Sequence, residues 1–328
     1  MKILFGKEYF APDLHWENLA PLLLGHEIIV STRETLASSI DDVDIVVPFW
    51  TPMGRDLLQR GKFGLIQQFG VGLDLIDVHA ATEAGIWVAR LPAAGTGNAD
   101  SVAEHAILLM LSLSRHLKQC EVSVQTQRWG QPSGNALLGK TVCIVGLGDI
   151  GSALAIRLNA FGMQLIGVRQ HPERGAPAGT RFQHIYPTSA LHTALHDADY
   201  VIASVNYDQN SHHLFNEATL AAMKPGAYLI NIARGGLVDH DALLQALESG
   251  HLAGAGLDVF WEEPVDPAHP LFQQNVVATP HIAGITDAFY QNGARVLAEN
   301  IARYARGETL RYVVNQPARP RYPLDKPE

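Results

Sequence analysis

Three side chains in the second half of the chain carry complementary chemistry: Arg234 in Ala-Arg-Gly-Gly, Glu263 in Glu-Glu-Pro, and His281 in Thr-Pro-His-Ile-Ala-Gly. An arginine guanidinium meets a planar carboxylate with two parallel hydrogen bonds. A histidine changes charge near neutral pH and can hand a proton to a carbonyl oxygen or take one from a hydroxyl. A carboxylate beside that histidine favours its protonated form. The set suits reduction of a carbonyl, or oxidation of a hydroxyl, on a small carboxylate, provided that a hydride carrier binds nearby. Taken singly the residues say little, since the chain has 15 histidines and a lone arginine is usually a surface charge.

A place for the carrier lies upstream, in Val145-Gly146-Leu147-Gly148-Asp149-Ile150-Gly151. A G-x-G-x-x-G run means little alone, but here it follows an apolar strand and opens a helix with Leu154 and Leu158 on one face. Gly146 permits the tight turn, Gly148 lets a pyrophosphate approach the backbone, and Gly151 lets helix and strand pack closely. The helix N-terminus then presents its partial positive charge to the phosphates. The following strand ends at Arg169, where a chain that binds NAD usually has Asp or Glu for the ribose 2′-hydroxyl. A guanidinium cannot accept from that hydroxyl but suits a 2′-phosphate, so NADP(H) is favoured over NAD(H), with Arg174 as a candidate assistant. The alternative is that Arg169 stacks on the adenine and both cofactors bind.

Short apolar runs alternate with helix-like stretches, the pattern of an α/β protein. Strands are expected at residues 2–5, 27–30, 44–49, 64–69 and 87–89, then at 141–145, 164–168, 200–203, 228–231, 254–259 and 276–278. Asp77 can cap a short helix that Gly85 closes, and Asp239 and Gly250 bracket another. Residues 100–119 read as one long helix, with Val102, Ala106, Leu109, Met110, Leu113 and Leu117 at helical spacing. A further helix over 287–306 could carry the chain back to the first domain. The loop Pro92-Ala93-Ala94-Gly95-Thr96-Gly97 marks the first crossing between domains. The expected fold is α/β, with two Rossmann-like doubly wound parallel-sheet domains.

A length of 328 residues fits two domains, and 47% apolar content is enough for two cores. The net charge of −9, with no basic stripe, argues against a nucleic-acid partner. An anionic substrate would have to be attracted locally. Cys120 and Cys143 are the only cysteines and read as reduced thiols of a cytoplasmic protein. His212-His213 lacks further ligands at metal-binding spacing, so no metal is expected. The strand-like Ile3-Leu4-Phe5 does not read as a signal peptide, and the apolar stretch 106–111 is too short to span a membrane. The proline-rich tail, residues 316–328, is expected to be extended on the surface or loose.

From about Gly64 to Gly284 the chain resembles the D-isomer-specific 2-hydroxyacid dehydrogenases. This group includes glyoxylate/hydroxypyruvate reductases, D-lactate dehydrogenases and phosphoglycerate dehydrogenases. The resemblance rests on Gly70-Val71-Gly72-Leu73-Asp74, Asn98-Ala99-Asp100-Ser101-Val102-Ala103-Glu104, the glycine fingerprint and Met223-Lys224-Pro225-Gly226-Ala227. It continues through Asn231-Ile232-Ala233-Arg234-Gly235-Gly236, Asp258-Val259-Phe260, Glu263-Pro264 and Thr279-Pro280-His281-Ile282. It implies a discontinuous substrate domain, residues 1–97 with 288–328, and an inserted dinucleotide domain, 98–287, with an interdomain cleft and a homodimer.

The resemblance makes Arg234 the anchor of the substrate, His281 the acid/base and Glu263 its partner. It assigns the amides of Val71 and Gly72 to the substrate carboxylate. The dinucleotide would meet Val102, Gly146, Gly148, Asp149, Ile150, Gly151 and Arg169, then Val205, Asn206, Ala233, Arg234, Asp258, His281 and Gly284. Ser204-Val205-Asn206-Tyr207 departs from the Leu-Pro or Val-Pro-Leu-Thr common in the family, on the adenosine side. Trp50 follows the third strand and either shapes the substrate pocket or packs between domains.

The reading is a hydride transfer between NAD(P)H and a small 2-keto or D-2-hydroxy acid, as in glyoxylate/hydroxypyruvate reductases. Alternatives are a phosphoglycerate or phosphite dehydrogenase, or a dinucleotide-sensing corepressor without turnover.

Overall fold

Neighbouring residues of each strand point to opposite faces of a sheet, and here both faces are apolar because both are covered. A computed structural model describes residues 1–6 and 16–322. The chain divides into two compact units, Met1–Asn98 with Thr286–Glu328, and Ala99–Ile285.

The first unit holds strands β1 (Lys2–Gly6), β2 (Glu27–Ser31), β3 (Ile45–Val47), β4 (Leu65–Gln68) and β5 (Trp87–Arg90), all parallel, in the order β2-β1-β3-β4-β5. Ile3, Phe5, Ile45, Val47 and Leu65 pack on one face against Phe289, Leu297, Ile301 and Tyr304 of the helix Asp287–Arg306. Leu4, Val46, Ile66 and Val88 pack on the other against Leu36, Leu58 and Ala80. Asp77 caps the helix Val78–Glu83 by accepting from the Ala80 N–H, and Gly85 follows at φ 76°.

The second unit holds β6 (Thr141–Val145), β7 (Gln164–Val168), β8 (His184–Tyr186), β9 (Tyr200–Ala203), β10 (Ala227–Asn231), β11 (Leu252–Leu257) and β12 (Val276–Ala278). Their order is β12-β11-β10-β9-β6-β7-β8, again parallel. The chain runs outward from β6 through β7 to β8, then crosses back to β9 on the other side of β6. That reversal makes the carboxyl ends of β6 and β9 the switch point, where open α/β sheets bind ligands. Strand β8 is not among the six expected. It is a three-residue edge strand with no buried residue, so it lacks the apolar signature of its neighbours.

The expected long helix is broken. The structure has Asn98–Ser114 and then Leu117–Gln125, with His116 between them in the left-handed region at φ 53°. The Ser114 carbonyl accepts instead from the Asn135 N–H at 2.7 Å, and the Ser114 hydroxyl lies 2.7 Å from that of Tyr200. A returning segment thus takes a carbonyl that helical continuation would need. The first helix packs on the sheet, with Leu109 and Leu113 against Gly256. The second buries none of its side chains.

The described part of the tail has no helix or strand, and residues 313–322 are docked on the first unit. Val313 bridges Ala89, the Asn315 side chain accepts from the Val88 N–H at 2.8 Å, and Arg321 donates to the carbonyls of Leu58, Gly61 and Phe63. One guanidinium thereby satisfies carbonyls around the C-terminus of the helix Arg55–Arg60. Residues 323–328 of that tail lie outside the described residues. Cys120 and Cys143 are both free, and burial pushes the Cys143 thiol up to about 12. No helix among the described residues is long and apolar enough to cross a membrane.

Candidate active site

The glycine fingerprint forms the turn between β6 and the helix Asp149–Ala160. Gly146 has φ 106°, and a side chain there would meet the Ser204 carbonyl at 2.6 Å, at the end of β9. A side chain on Gly151 would lie 2.0 Å from the Gly146 carbonyl, so this glycine lets the helix sit on the turn. Gly148 differs, since nothing lies within 4 Å of where its side chain would be. A backbone that is tight on both sides and open at the middle, at a helix N-terminus, fits a pyrophosphate. Asp149 and Ile150 open that helix, while Val205 and Asn206 follow β9. Val102 is buried in the helix Asn98–Ser114.

Arg169 sits just past β7. Its N–H donates to the Tyr186 carbonyl and its guanidinium to the Gly175 carbonyl at 3.0 Å. The side chain at the end of this strand is therefore a donor, not an acceptor.

Loops after β10, β11 and β12 carry Arg234, Glu263 and His281 in turn. Asn231 holds the first loop by accepting from the Ala233 N–H and donating to the Arg234 carbonyl at 2.9 Å. A side chain on Gly235 would lie 1.9 Å from the Phe260 carbonyl carbon, so only glycine lets this loop press on the next one, backbone to backbone. In the second loop Glu263 Oε1 accepts from the Phe260 N–H at 3.0 Å, and Glu263 Oε2 lies 2.7 Å from His281 Nδ1. The Arg234 guanidinium donates to the Ala233 carbonyl, and its charge reaches Glu263.

His281 has φ 55°, a left-handed conformation uncommon outside glycine. Asp258 maintains it. The Asp258 carbonyl accepts from the His281 N–H at 2.8 Å, and its carboxylate accepts from the N–H groups of Ile282 and Ala283 at 2.9 Å each. The carboxylate also accepts from the Thr279 hydroxyl at 2.7 Å, and the residue is 1% exposed. Gly284 follows this segment. Sequence reasoning did not single out Thr279 or His105, whose Nε2 lies 2.8 Å from the Thr279 hydroxyl. One helical histidine among 15 gives no signal of its own.

The Glu263 carboxyl is pulled two ways. Its partial burial favours the neutral form and is the largest single influence. The His281 hydrogen bond and charge, the Phe260 N–H and the Arg234 charge together outweigh it and hold the carboxyl below its ordinary value of 4.5. A value depressed on folding means that the native state holds fewer protons than the unfolded chain between the two values. The ionised group therefore contributes stability above the ordinary value, and the contribution fades as pH falls through the depressed one. The melting temperature of the native protein is expected to exceed that of Glu263→Gln most above the ordinary value of 4.5, with the two converging as pH falls below it. A difference that stays constant across this range would remove the electrostatic account.

Trp50, Val71 and Gly72 belong to the first unit, in loops that follow β3 and β4. The Gln68 side chain ties these loops by donating to the Phe49 carbonyl at 3.0 Å, and Arg90 donates to the Val71 carbonyl. Trp50 is 37% exposed. His212 and His213 stack at 3.9 Å, with the Tyr207 hydroxyl 3.0 Å from His212 Nδ1.

Residues 107–283 match the family model described as D-isomer specific 2-hydroxyacid dehydrogenase, NAD binding domain. A glyoxylate reductase of Thermofilum pendens is 36% identical over 304 residues, covering 90% of this chain and 88% of the relative. A D-3-phosphoglycerate dehydrogenase of Methanocaldococcus jannaschii is also 36% identical, over 299 residues and 90% of this chain. The chain spans only 56% of that relative's length. Among solved structures, the TT0316 protein from Thermus thermophilus superimposes with a TM-score of 0.83 at 30% identity, covering 96% of this chain and 100% of that one.

Proposed function

This chain belongs to the D-isomer specific 2-hydroxyacid dehydrogenase family, and on that premise we propose that it reduces a small 2-keto acid such as glyoxylate or hydroxypyruvate to the D-2-hydroxy acid. The observation that carries the reading is the hydrogen bond between His281 Nδ1 and Glu263 Oε2 at 2.7 Å, with the Arg234 charge alongside.

That geometry supports the following roles. Arg234 binds the substrate carboxylate and orients the carbonyl. A reduced nicotinamide dinucleotide, held at the glycine turn of Gly146, Gly148 and Gly151, would supply the hydride. His281 donates the Nε2 proton to the carbonyl oxygen as negative charge develops there. Glu263 keeps the remaining proton on Nδ1, so that the spent imidazole is neutral and solvent re-protonates Nε2. In the oxidation direction neutral Nε2 takes the hydroxyl proton. Ala233, Asp258 and Gly284 would hold the nicotinamide end of the cofactor.

NADPH is the preferred donor in this reading, because Arg169 presents hydrogen-bond donors where a 2′-hydroxyl would need an acceptor. The test is steady-state turnover with NADPH and NADH against glyoxylate, hydroxypyruvate, pyruvate and phosphohydroxypyruvate. The last substrate covers the phosphoglycerate reading, which the Methanocaldococcus relative supports. NADPH efficiency is expected to exceed that of NADH by about tenfold or more, and Arg169→Ala to erase the difference, as loss of a charge-assisted pair implies. Equal efficiencies in the native protein would refute the preference, and no turnover with either cofactor would refute the reaction.

The assembly proposed is a homodimer in the cytoplasm, where both free thiols would stay reduced. The helix Leu117–Gln125 exposes Leu117, Val122 and Val124 at 47%, 56% and 64%, and Trp129 beyond it is 82% exposed. Such a cluster marks an interaction surface. Sedimentation velocity is expected to show a dimer for the native chain and a monomer for the Val124→Glu, Trp129→Glu double variant. A monomeric native chain would rule the dimer out.

A further inference from the structure

We propose that His105 is a positioning residue for His281, acting through Thr279 and Asp258. The inference rests on the reading of His281 as the proton donor. The Thr279 hydroxyl donates its single proton to Asp258 Oδ1 at 2.7 Å. Toward His105 Nε2, 2.8 Å away, that oxygen can therefore only accept. This sets the tautomer: Nε2 of His105 bears hydrogen, and the polarity runs from His105 to Thr279 to Asp258. His105 Nε2 is also 3.5 Å from Asp258 Oδ1, and the two side chains are 12% and 1% exposed. In so little water each of these bonds is strong, and leaving one unmade is costly.

The far end of the chain of bonds is the backbone around His281. Asp258 grips the next two N–H groups with its carboxylate and the His281 N–H with its carbonyl. Together they keep His281 at φ 55°. A non-glycine residue stays in that region only where its surroundings over-determine it. The left-handed turn in turn aims Nδ1 at Glu263. If His105 no longer donates, the Thr279 hydroxyl is free to rotate, Asp258 loses its orientation, and the loop can relax toward an extended backbone. The imidazole would then leave Glu263. A small misplacement of a proton donor slows the chemical step far more than it weakens cofactor binding.

The experiment compares two pairs of variants in the full chain, with His281→Ala measured alongside. His105→Leu and Thr279→Val remove the hydrogen bonds at nearly constant volume. His105→Gln and Thr279→Ser restore them, since a glutamine amide reaches about as far as Nε2. Readouts are kcat and KM for glyoxylate, NADPH dissociation by fluorescence, and melting temperature. The expected result is a fall in kcat of roughly tenfold to a hundredfold for His105→Leu and for Thr279→Val, with NADPH affinity within about twofold. His105→Gln and Thr279→Ser are expected to recover most of that rate. Unchanged kcat in His105→Leu and Thr279→Val would overturn the inference. So would equal losses in the restoring variants, which would mark a packing role. If His281→Ala turned over normally, the reading of His281 would fail, whatever the others showed. Should His105→Leu not fold, the isosteric Thr279 pair decides alone.

Discussion

Replacing His281 with alanine is expected to lower turnover of 2-keto acids by at least about a hundredfold, the usual scale for a general acid, while NADPH still binds. The imidazole is the group hydrogen-bonded to Glu263, at 2.7 Å, and the structure strains its own backbone to hold it there. Without it the carbonyl oxygen must take its proton from water, which arrives without orientation. The fingerprint at Gly146, Gly148 and Gly151 is untouched by the substitution, so the dinucleotide phosphates keep their turn and helix N-terminus. Stopped-flow oxidation of bound NADPH isolates the chemical step from product release. Normal rates in His281→Ala would sink the mechanism, and loss of NADPH binding would make the result a cofactor effect.

Arg234→Lys is expected to lower kcat/KM by about a hundredfold or more, and Arg234→Met further. Truncating one partner of a desolvated charge pair costs about 2–5 kcal/mol, and each 1.4 kcal/mol is a factor of about ten. Lysine keeps the charge but offers no planar fork, so it cannot hold a carboxylate at two oxygens and fix the carbonyl at once. The loss should therefore appear in both KM and kcat, whereas His281→Ala acts on kcat. A second consequence separates this residue from a remote charge. The Arg234 charge helps to hold the Glu263 carboxyl low, so its removal should let that carboxyl titrate at higher pH. If Arg234→Met retained kcat/KM to within about threefold, the carboxylate clamp would have to lie elsewhere.

Central strands were legible because they are buried on both faces. β6, β7 and β9 begin and end where expected from their apolar runs. The helix Asp287–Arg306 was legible too, with Thr286 accepting from the Phe289 N–H at its start and Gly307 at φ 76° beyond its end. The glycine turn was readable for a related reason. Gly146 and Gly151 answer backbone demands that no other residue meets, so their chemistry shows in one dimension. Edge strand β8, with three residues and none buried, has no such demand and left no trace.

What the sequence by itself determined, then, is the α/β alternation, the fingerprint and the chemical types of Arg234, Glu263 and His281, because these depend on local backbone and side-chain properties. Only the tertiary structure decided whether the types meet. The backbone contact at Gly235 sets two loops together, and the Asp258 carboxylate grips the His281 turn. The same holds for the break at His116, where Asn135, from the returning segment, takes the Ser114 carbonyl, and for Arg321, which reaches back to Leu58, Gly61 and Phe63. Each is a contact or hydrogen bond between residues far apart in the chain, and its energy depends on a distance that no window of sequence contains.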